Sequence, residues 1–201
     1  MPSFCGNKEC LDRHYHLPPP SVSGKFRQYE QLGLRVRSFA GLGIHDRLDP
    51  FALAEKLGLR VVSLDMIEGL SEELKALLQT SQAWSGGATP TLPDGTRVVI
   101  LNPQQSAARK AATLMEEICH TLLGHKHSEL SVTQSSGNHR SYDRDIEDEA
   151  YSVGAAALLP YRALVCDLAR KQSIRSIAYQ AGVSQSLVKY RIKVLKLAGS
   201  L

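Results

Sequence analysis

The sequence has 201 residues, of which 43% are hydrophobic, 22% are charged and 6% are aromatic. This composition is ordinary for a globular protein and excludes collagen-like, low-complexity and fully disordered chains. The length suffices for one domain with an appendage or for two small domains. No window approaches the roughly 18 consecutive apolar residues of a membrane-spanning helix, and residues 1–20 lack the apolar run of a signal peptide. We therefore expect a cytoplasmic protein with no membrane partner.

The net charge of +4 is unevenly distributed along the chain. Residues 161–201 contain eight Lys or Arg residues and one Asp, a net charge of +7, which leaves −3 for the rest of the chain. A near-neutral to acidic body with a basic end is typical of a catalytic or sensing domain joined to a segment that binds a polyanion. We therefore predict three segments: a flexible extension over residues 1–23, a main domain over 24–160, and a basic segment over 161–201.

Hydrophobic periodicity and capping residues predict a chain of helices interrupted by short strands. In chain order, the predicted elements are a helix over 25–40, a short helix capped by Asp49 with Pro50 at its first position, a strand over 59–64, a helix over 71–78, a hairpin turn at Asp94-Gly95 followed by a strand over 97–101, a long helix over 106–123 that ends at Gly124, a helix over 145–159, and three short helices over 161–171, 173–180 and 184–196.

The long predicted helix carries the motif Glu116-Glu117-Ile118-Cys119-His120. Because positions i and i+4 face the same way on a helix, Glu116 and His120 can bind one metal ion with Glu117 beside it. This is the spacing of the zincin motif His-Glu-x-x-His, except that Glu116 stands in place of the first histidine. An acidic residue four positions before a histidine is also common on solvated helix faces, so the motif alone indicates a metal site only weakly.

Three nearby residues have more than one interpretation each. His125 follows the helix stop, with His127 beyond it, and either substitutes for a missing ligand, or polarises a substrate carbonyl, or is a polar loop residue. Tyr142 is either an oxyanion donor or a packing residue. Cys119 lies at a variable position of the motif, and we interpret it as a small buried residue rather than a nucleophile.

The chain has four cysteines, at positions 5, 10, 119 and 166, too few and too scattered for a disulfide framework, so reduced thiols are expected. Cys5, Cys10, His14 and His16 form the pattern Cys-x4-Cys-x3-His-x-His. These residue types can bind zinc, but the spacing fits no standard zinc finger. A flexible tail is therefore the preferred interpretation of this segment.

Around the metal motif, the sequence resembles the ImmA/IrrE family of metallo-endopeptidase-like proteins. The resemblance extends over most of residues 25–195 and rests on the order and spacing of several short segments. These are Leu48-Asp49-Pro50-Phe51-Ala52-Leu53-Ala54, Leu57-Gly58-Leu59, Ala83-Trp84-Ser85, Leu101-Asn102-Pro103, the stretch from Leu114 to His125, Tyr142-Asp143, Glu147-Asp148-Glu149-Ala150, and Ala157-Leu158-Leu159-Pro160.

The resemblance implies an α+β fold: a zincin-like metallopeptidase domain over 24–160 with a small mixed β-sheet packed on the metal helix. It further implies that Glu117 is the general base and that Glu116, His120 and Glu149 occupy the ligand positions of the metal, with Glu149 supplied by a second helix. The implied cofactor is Zn²⁺. Because a carboxylate replaces an imidazole, the preference can shift to Mn²⁺ or Fe²⁺, or metal can be absent.

The function implied by the resemblance is that of a regulatory protease whose protein substrate is a transcriptional repressor with a helix-turn-helix. The alternative hypothesis is a catalytically inactive homologue that works as a DNA- or protein-binding module because Glu116 has removed the metal.

The basic C-terminal segment has the pattern of a helix-turn-helix. Gly182 lies in the predicted turn, Val183 is its core residue, and Ser184 caps the second helix. Residues on the exposed face of the second helix would contact DNA, with Arg175 and Arg191 near phosphates. These candidate DNA-binding residues are Arg175, Gln185, Ser186, Lys189, Tyr190, Arg191 and Lys193.

Overall fold

The computed structural model describes residues 22–67, 69, 71–80, 84, 86–88, 95–125 and 144–197. The extension over 1–21, with its cysteines and histidines, and Tyr142 lie outside the described residues. Within them the elements are α1 (Gly24–Ala40), α2 (Pro50–Lys56), β1 (Leu59–Val62), a 3₁₀ helix (Leu64–Met66), α3 (Glu72–Thr80), β2 (Gly86–Ala88), β3 (Arg97–Leu101), α4 (Ala107–Leu123), α5 (Arg144–Leu158), α6 (Tyr161–Ala169), α7 (Ile174–Ala181) and α8 (Gln185–Val194). This mainly helical arrangement with a small sheet confirms the predicted α+β class. Among the described residues no single helix is both long and apolar enough to span a membrane. The bent pair of α5 and α6 meets these two criteria when the helices are taken together.

Helix boundaries follow the capping residues. The Asp49 carboxylate accepts a hydrogen bond from the Phe51 amide at 2.9 Å, with Pro50 at the first helical position. The Ser106 hydroxyl accepts from the Arg109 amide at the start of α4, and Gly124 ends that helix in the left-handed conformation with φ of 69°. Such caps satisfy backbone groups that the helix itself leaves without partners, which is why they predict helix ends from sequence.

The sheet has the strand order β1-β3-β2. β3 pairs in parallel with β1 and antiparallel with β2, with Gly86 opposite Leu101, so the small mixed sheet is as predicted. Gly95 has φ of 83°, but Asp94 lies outside the described residues. Directly after β3, the buried Asn102 side chain donates to the Trp84 carbonyl at 2.7 Å. This hydrogen bond connects the residue after β3 to the chain just before β2.

The chain divides into two compact units, residues 1–48 with 155–201, and residues 49–154. In the first unit, Gly33 of α1 lies so close to the end of α5 that a Cβ there would come within 2.8 Å of the Ala157 nitrogen. The buried Arg37 guanidinium donates to the Ala157 carbonyl at 2.7 Å. α1 therefore groups with the C-terminal helices, whereas the sequence segments placed it with residues up to 160.

In the second unit, α4 packs on the sheet and on the first part of α5. Leu114, Met115 and Ile118 of α4 are fully buried, as is Val99 of β3. Gly154 of α5 allows close approach, because a Cβ there would lie 3.3 Å from the Met115 side chain and 3.6 Å from the Cys119 sulfur. This packing holds the acidic first half of α5 beside the motif of α4.

Candidate metal and catalytic site

The motif residues of α4 lie at the surface of the second unit, next to α5. His120 is largely buried, with 11% of its side chain exposed, and Glu116 and Glu117 are half-buried. Cys119 is fully buried beside Gly154 of α5, and burial, assisted by the charge of Glu116, raises the pKa of its thiol far above the ordinary value. Because the thiolate is the nucleophilic form, this environment suits a structural cysteine, as interpreted from the sequence.

α5 presents Glu147 to the histidine of the motif. His120 Nε2 lies 3.3 Å from Glu147 Oε2. Glu149, the ligand implied by the family resemblance, has its Oε2 3.3 Å from His125 Nε2. Residues two apart on a helix differ by about 200° in direction, so the two carboxylates leave α5 on different sides, Glu147 toward His120 and Glu149 toward His125.

The two histidines join these carboxylates into a continuous chain of contacts. His125 Nδ1 lies 3.0 Å from His120 Nδ1, so the order is Glu147, His120, His125, Glu149. Three contacts require three protons, but two neutral imidazoles carry only two N–H groups. If His120 donates to His125, and His125 donates to Glu149, then His120 Nε2 and Glu147 face each other as two acceptors. Either an extra proton or a cation completes the chain there.

The two glutamates of α4 are poorly compensated. Burial raises the pKa of Glu116 to about 7, assisted by the charge of Glu147 and opposed by Arg109. Burial also raises the pKa of Glu117 to about 7, with further contributions from Glu116 and Glu147. Three carboxylates therefore share a partly dehydrated region in which a positive charge is favourable.

The donor chemistry of this region fits a divalent cation, because imidazole and carboxylate are the ligand types that Zn²⁺, Mn²⁺ and Fe²⁺ accept. Ligands of one tetrahedral ion at about 2.1 Å lie roughly 3.4 Å apart, close to the separation of His120 Nε2 and Glu147 Oε2. Among the described residues, however, no three His, Cys, Asp or Glu side chains converge on one point. This applies to Glu116, His120 and Glu149, and equally to Glu116, His120 and Glu147.

The raised pKa values predict how pH acts on the metal-free protein. Between about pH 4.5 and pH 7, the folded protein binds more protons at Glu116 and Glu117 than the unfolded chain does. The free energy of unfolding should therefore fall as pH rises through this range. Urea titrations of chelator-treated protein from pH 4.5 to 8 measure this slope. Glu116→Gln should make this slope shallower. Glu55→Gln, at an exposed position, is the control and should have the slope of the native protein. Equal slopes in the native protein and both variants would contradict the raised pKa of Glu116.

The predicted DNA-binding residues lie in the first unit and are mostly accessible. Arg175, Gln185, Ser186, Lys189 and Lys193 are exposed, and Tyr190 is half-buried.

Arg191 requires a correction. Its side chain is 2% exposed, pairs with Glu30 of α1, and donates through Nε to the Leu159 carbonyl at 3.0 Å. The sequence interpretation missed this because the partner lies 161 residues away. Arg191 is therefore a core residue of the first unit and unavailable to DNA.

Comparison with known proteins identifies the family to which the chain belongs. The sequence model of the peptidase M78 family, described as the IrrE N-terminal-like domain, matches residues 54–193. A solved structure of a Mycobacterium tuberculosis transcriptional regulator is similar, with a TM-score of 0.53 and 15% sequence identity, over 94% of this chain and 51% of that one. This likeness shows a shared fold, and the chain spans about half the length of that regulator. Comparison with curated proteins gave no significant match.

Proposed function

Because the chain belongs to the peptidase M78 family of IrrE N-terminal-like domains, we propose that it is a metal-dependent endopeptidase-like regulator whose substrate is a protein such as a transcriptional repressor. The observation that carries the proposal is the approach of His120 Nε2 to Glu147 Oε2 at 3.3 Å, one helical turn after Glu116 and beside Glu117. The regulatory role is supported by the fold shared with a transcriptional regulator.

In this proposal His120 and Glu147 hold the cation, and Glu116, one turn before His120, is the proposed third donor. These three side chains do not converge on one point among the described residues, so the Glu116 carboxylate would have to turn toward the ion on binding. A cation bound there supplies a Lewis acid that polarises a substrate carbonyl and lowers the pKa of water. Zn²⁺ is the expected ion, and a set of two carboxylates and one imidazole also suits Mn²⁺ or Fe²⁺. Glu149 is the ligand implied by the resemblance; its contact with His125 favours a supporting role instead.

Glu117 is the proposed general base. Its carboxyl has a pKa of about 7 in the metal-free protein because of burial and neighbouring carboxylates, a value at which a carboxylate both accepts and returns a proton near neutral pH. A cation close by would lower this pKa, so Glu117 would be ionised when the site is loaded.

His125 and Glu149 are proposed positioning residues. His125 Nε2 lies 3.3 Å from the Glu149 carboxylate, and His125 Nδ1 lies 3.0 Å from His120 Nδ1. In the proposed tautomers His125 donates to Glu149 and accepts the Nδ1 proton of His120, which leaves the His120 Nε2 lone pair directed at Glu147. Such outer partners orient a metal-binding histidine and typically change metal affinity by about 10- to 100-fold when removed.

A second candidate function is a regulatory module without catalysis, and it is favoured by Glu116. A carboxylate in place of the usual histidine adds negative charge to the site and weakens the Lewis acidity of a bound ion. In that case the fold is retained for binding a protein or DNA.

Cleavage of a peptide mixture distinguishes the two functions. Native protein loaded with Zn²⁺, Mn²⁺ or Fe²⁺ is incubated with a proteome-derived peptide library, and new termini are counted by mass spectrometry. We expect cleavage by the native protein that falls roughly 100-fold or more in Glu117→Gln, because the proton acceptor is lost.

Glu116→His serves as the comparison that restores the zincin motif. Cleavage by Glu116→His alone, with none by the native protein under any of the three ions, would contradict the enzymatic proposal and support the binding module. Glu73→Gln, an exposed glutamate on α3, is the matched control and should cleave like the native protein.

A further inference from the structure

The two compact units differ more in net charge than the predicted sequence segments do. Residues 22–48 and 155–197, the described part of the first unit, contain 13 Lys or Arg and 3 Asp or Glu, a net charge of +10. Residues 49–154, the second unit, contain 9 Lys or Arg and 15 Asp or Glu, a net charge of −6. The metal motif thus belongs to an acidic unit and the C-terminal helices to a strongly basic one.

Acidic residues hardly reduce the positive surface of the basic unit. Of its three described acids, Glu30 is buried against Arg191, and Asp167 is half-buried and accepts a hydrogen bond from Gln172 at 3.3 Å. Only Asp46 is exposed, and its carboxylate accepts from the Gly43 amide at 2.7 Å. Of the 13 cations, Arg37 and Arg191 are buried, and the other eleven are exposed or half-buried, so a partner of opposite sign can reach them.

α7 and α8 form a helix-turn-helix in this unit. Gly182 ends α7 with φ of 69°, and the following Val183 is buried, with its amide bonded to the Ala178 carbonyl at 2.9 Å. Ser184 then caps α8 by accepting from the Leu187 amide. The turn is short and anchored, so α8 is presented as a fixed element rather than as a mobile tail.

The outer face of α8 carries amide, hydroxyl and ammonium groups in one row. Gln185, Lys189 and Lys193 are spaced four residues apart and are all exposed, with Ser186 beside them. The opposite face, with Leu187, Val188 and Ile192, is buried. Amide and hydroxyl groups at the start of such a helix suit base edges, and the later lysines suit phosphates.

An additional cation comes from a distant part of the sequence. Arg47, in the loop after α1, lies against the turn: a Cβ at Gly182 would be only 2.6 Å from its guanidinium. Arg47 is exposed. Its position beside the turn adds a positive charge next to α8 that the helix-turn-helix pattern alone does not reveal.

We propose that the α7–α8 helix-turn-helix, together with Arg47, binds duplex DNA, with Gln185 and Ser186 at the bases and Lys189, Lys193 and Arg47 at phosphates. This activity is separate from the metal site and does not depend on it. Duplex DNA is favoured over an acidic protein because the cations lie on one helix face next to groups suited to base edges, on an anchored helix-turn-helix.

The test is fluorescence anisotropy of a labelled 30-base-pair mixed-sequence duplex with the full-length chain at several salt concentrations. We expect salt-dependent binding that Lys189→Gln/Lys193→Gln weakens at least about tenfold, with the slope of log K against log salt reduced by about 2. Arg47→Gln should reduce the slope by about 1.

Lys56→Gln/Arg60→Gln is the matched control, since it removes the same charge from exposed positions of the acidic unit. Circular dichroism checks that each variant is folded. Equal binding by the two double variants, or no salt-dependent binding by the native chain, would overturn the proposal. It would also be overturned if polyglutamate competed as well as unlabelled duplex, because the surface would then recognise acidic protein.

Discussion

Glu147→Gln is expected to abolish metal binding by the purified protein, whereas Glu149→Gln is expected to retain it with an affinity reduced about 10- to 100-fold. The reason is the different partner of each carboxylate. Glu147 contacts His120 Nε2, the nitrogen that the proposal assigns to the ion, while Glu149 contacts His125. Removing a donor empties the site, but removing an outer partner only loosens the orientation of His120.

Elemental mass spectrometry and calorimetric titration with Zn²⁺ measure this difference. Asp148→Asn is the matched control, because Asp148 is exposed between the two glutamates and the substitution changes the charge equally. It should bind metal like the native protein. The opposite result, with Glu149→Gln empty and Glu147→Gln loaded, would return the third ligand to the position implied by the family resemblance. Absence of metal in the native protein under all three ions would favour the binding module.

The sequence predicted the α4 half of the candidate site because that half is local. Glu116, Glu117 and His120 share one helix, and Ser106 and Gly124 mark its ends. Their relative directions follow from helical periodicity alone. Cys119 was interpreted as a small buried residue because it occupies a variable position of the motif, and its burial is confirmed, although its packing against Gly154 appears only in the structure.

The α5 half was not accessible to the same reasoning. Glu147 and Glu149 flank the buried stripe of Ala150 and Val153 on opposite sides. The stripe shows that α5 packs against a neighbour, but not which flank meets His120. That choice depends on how α5 lies across α4, which Gly154 permits at close range, so it appears only once the two helices are placed together.

The prediction of the basic segment was likewise limited by an ion pair between residues that are far apart in the sequence. The pattern of α7 and α8 fixed the turn, the caps and the buried face, all of which are local. It also placed Arg191 among the DNA contacts, because a cation near the outer face of α8 has no visible partner within the segment. The partner, Glu30, belongs to α1 at the other end of the chain.

The Glu30–Arg191 pair gives the largest expected effect on stability. Both side chains are buried, and each has a further partner: Arg191 donates to the Leu159 carbonyl, and Glu30 accepts from the Tyr161 amide at 3.0 Å. Breaking such a pair leaves one charge buried without compensation. We therefore expect Glu30→Ala to lower the free energy of unfolding by about 3–5 kcal/mol, measured by urea denaturation.

The double variant Glu30→Met/Arg191→Met separates the cost of an unpaired charge from the loss of the pair itself. With both charges gone, no ion remains uncompensated, and apolar side chains of similar length fill the space. The double variant should therefore be more stable than Glu30→Ala, although the Tyr161 amide and Leu159 carbonyl lose partners. Lys193→Ala, exposed on the same helix, should change stability by less than about 0.5 kcal/mol. A change in the free energy of unfolding for Glu30→Ala as small as that of Lys193→Ala would contradict the buried pair. Arg191 would then be accessible, and its predicted contact with DNA would stand again.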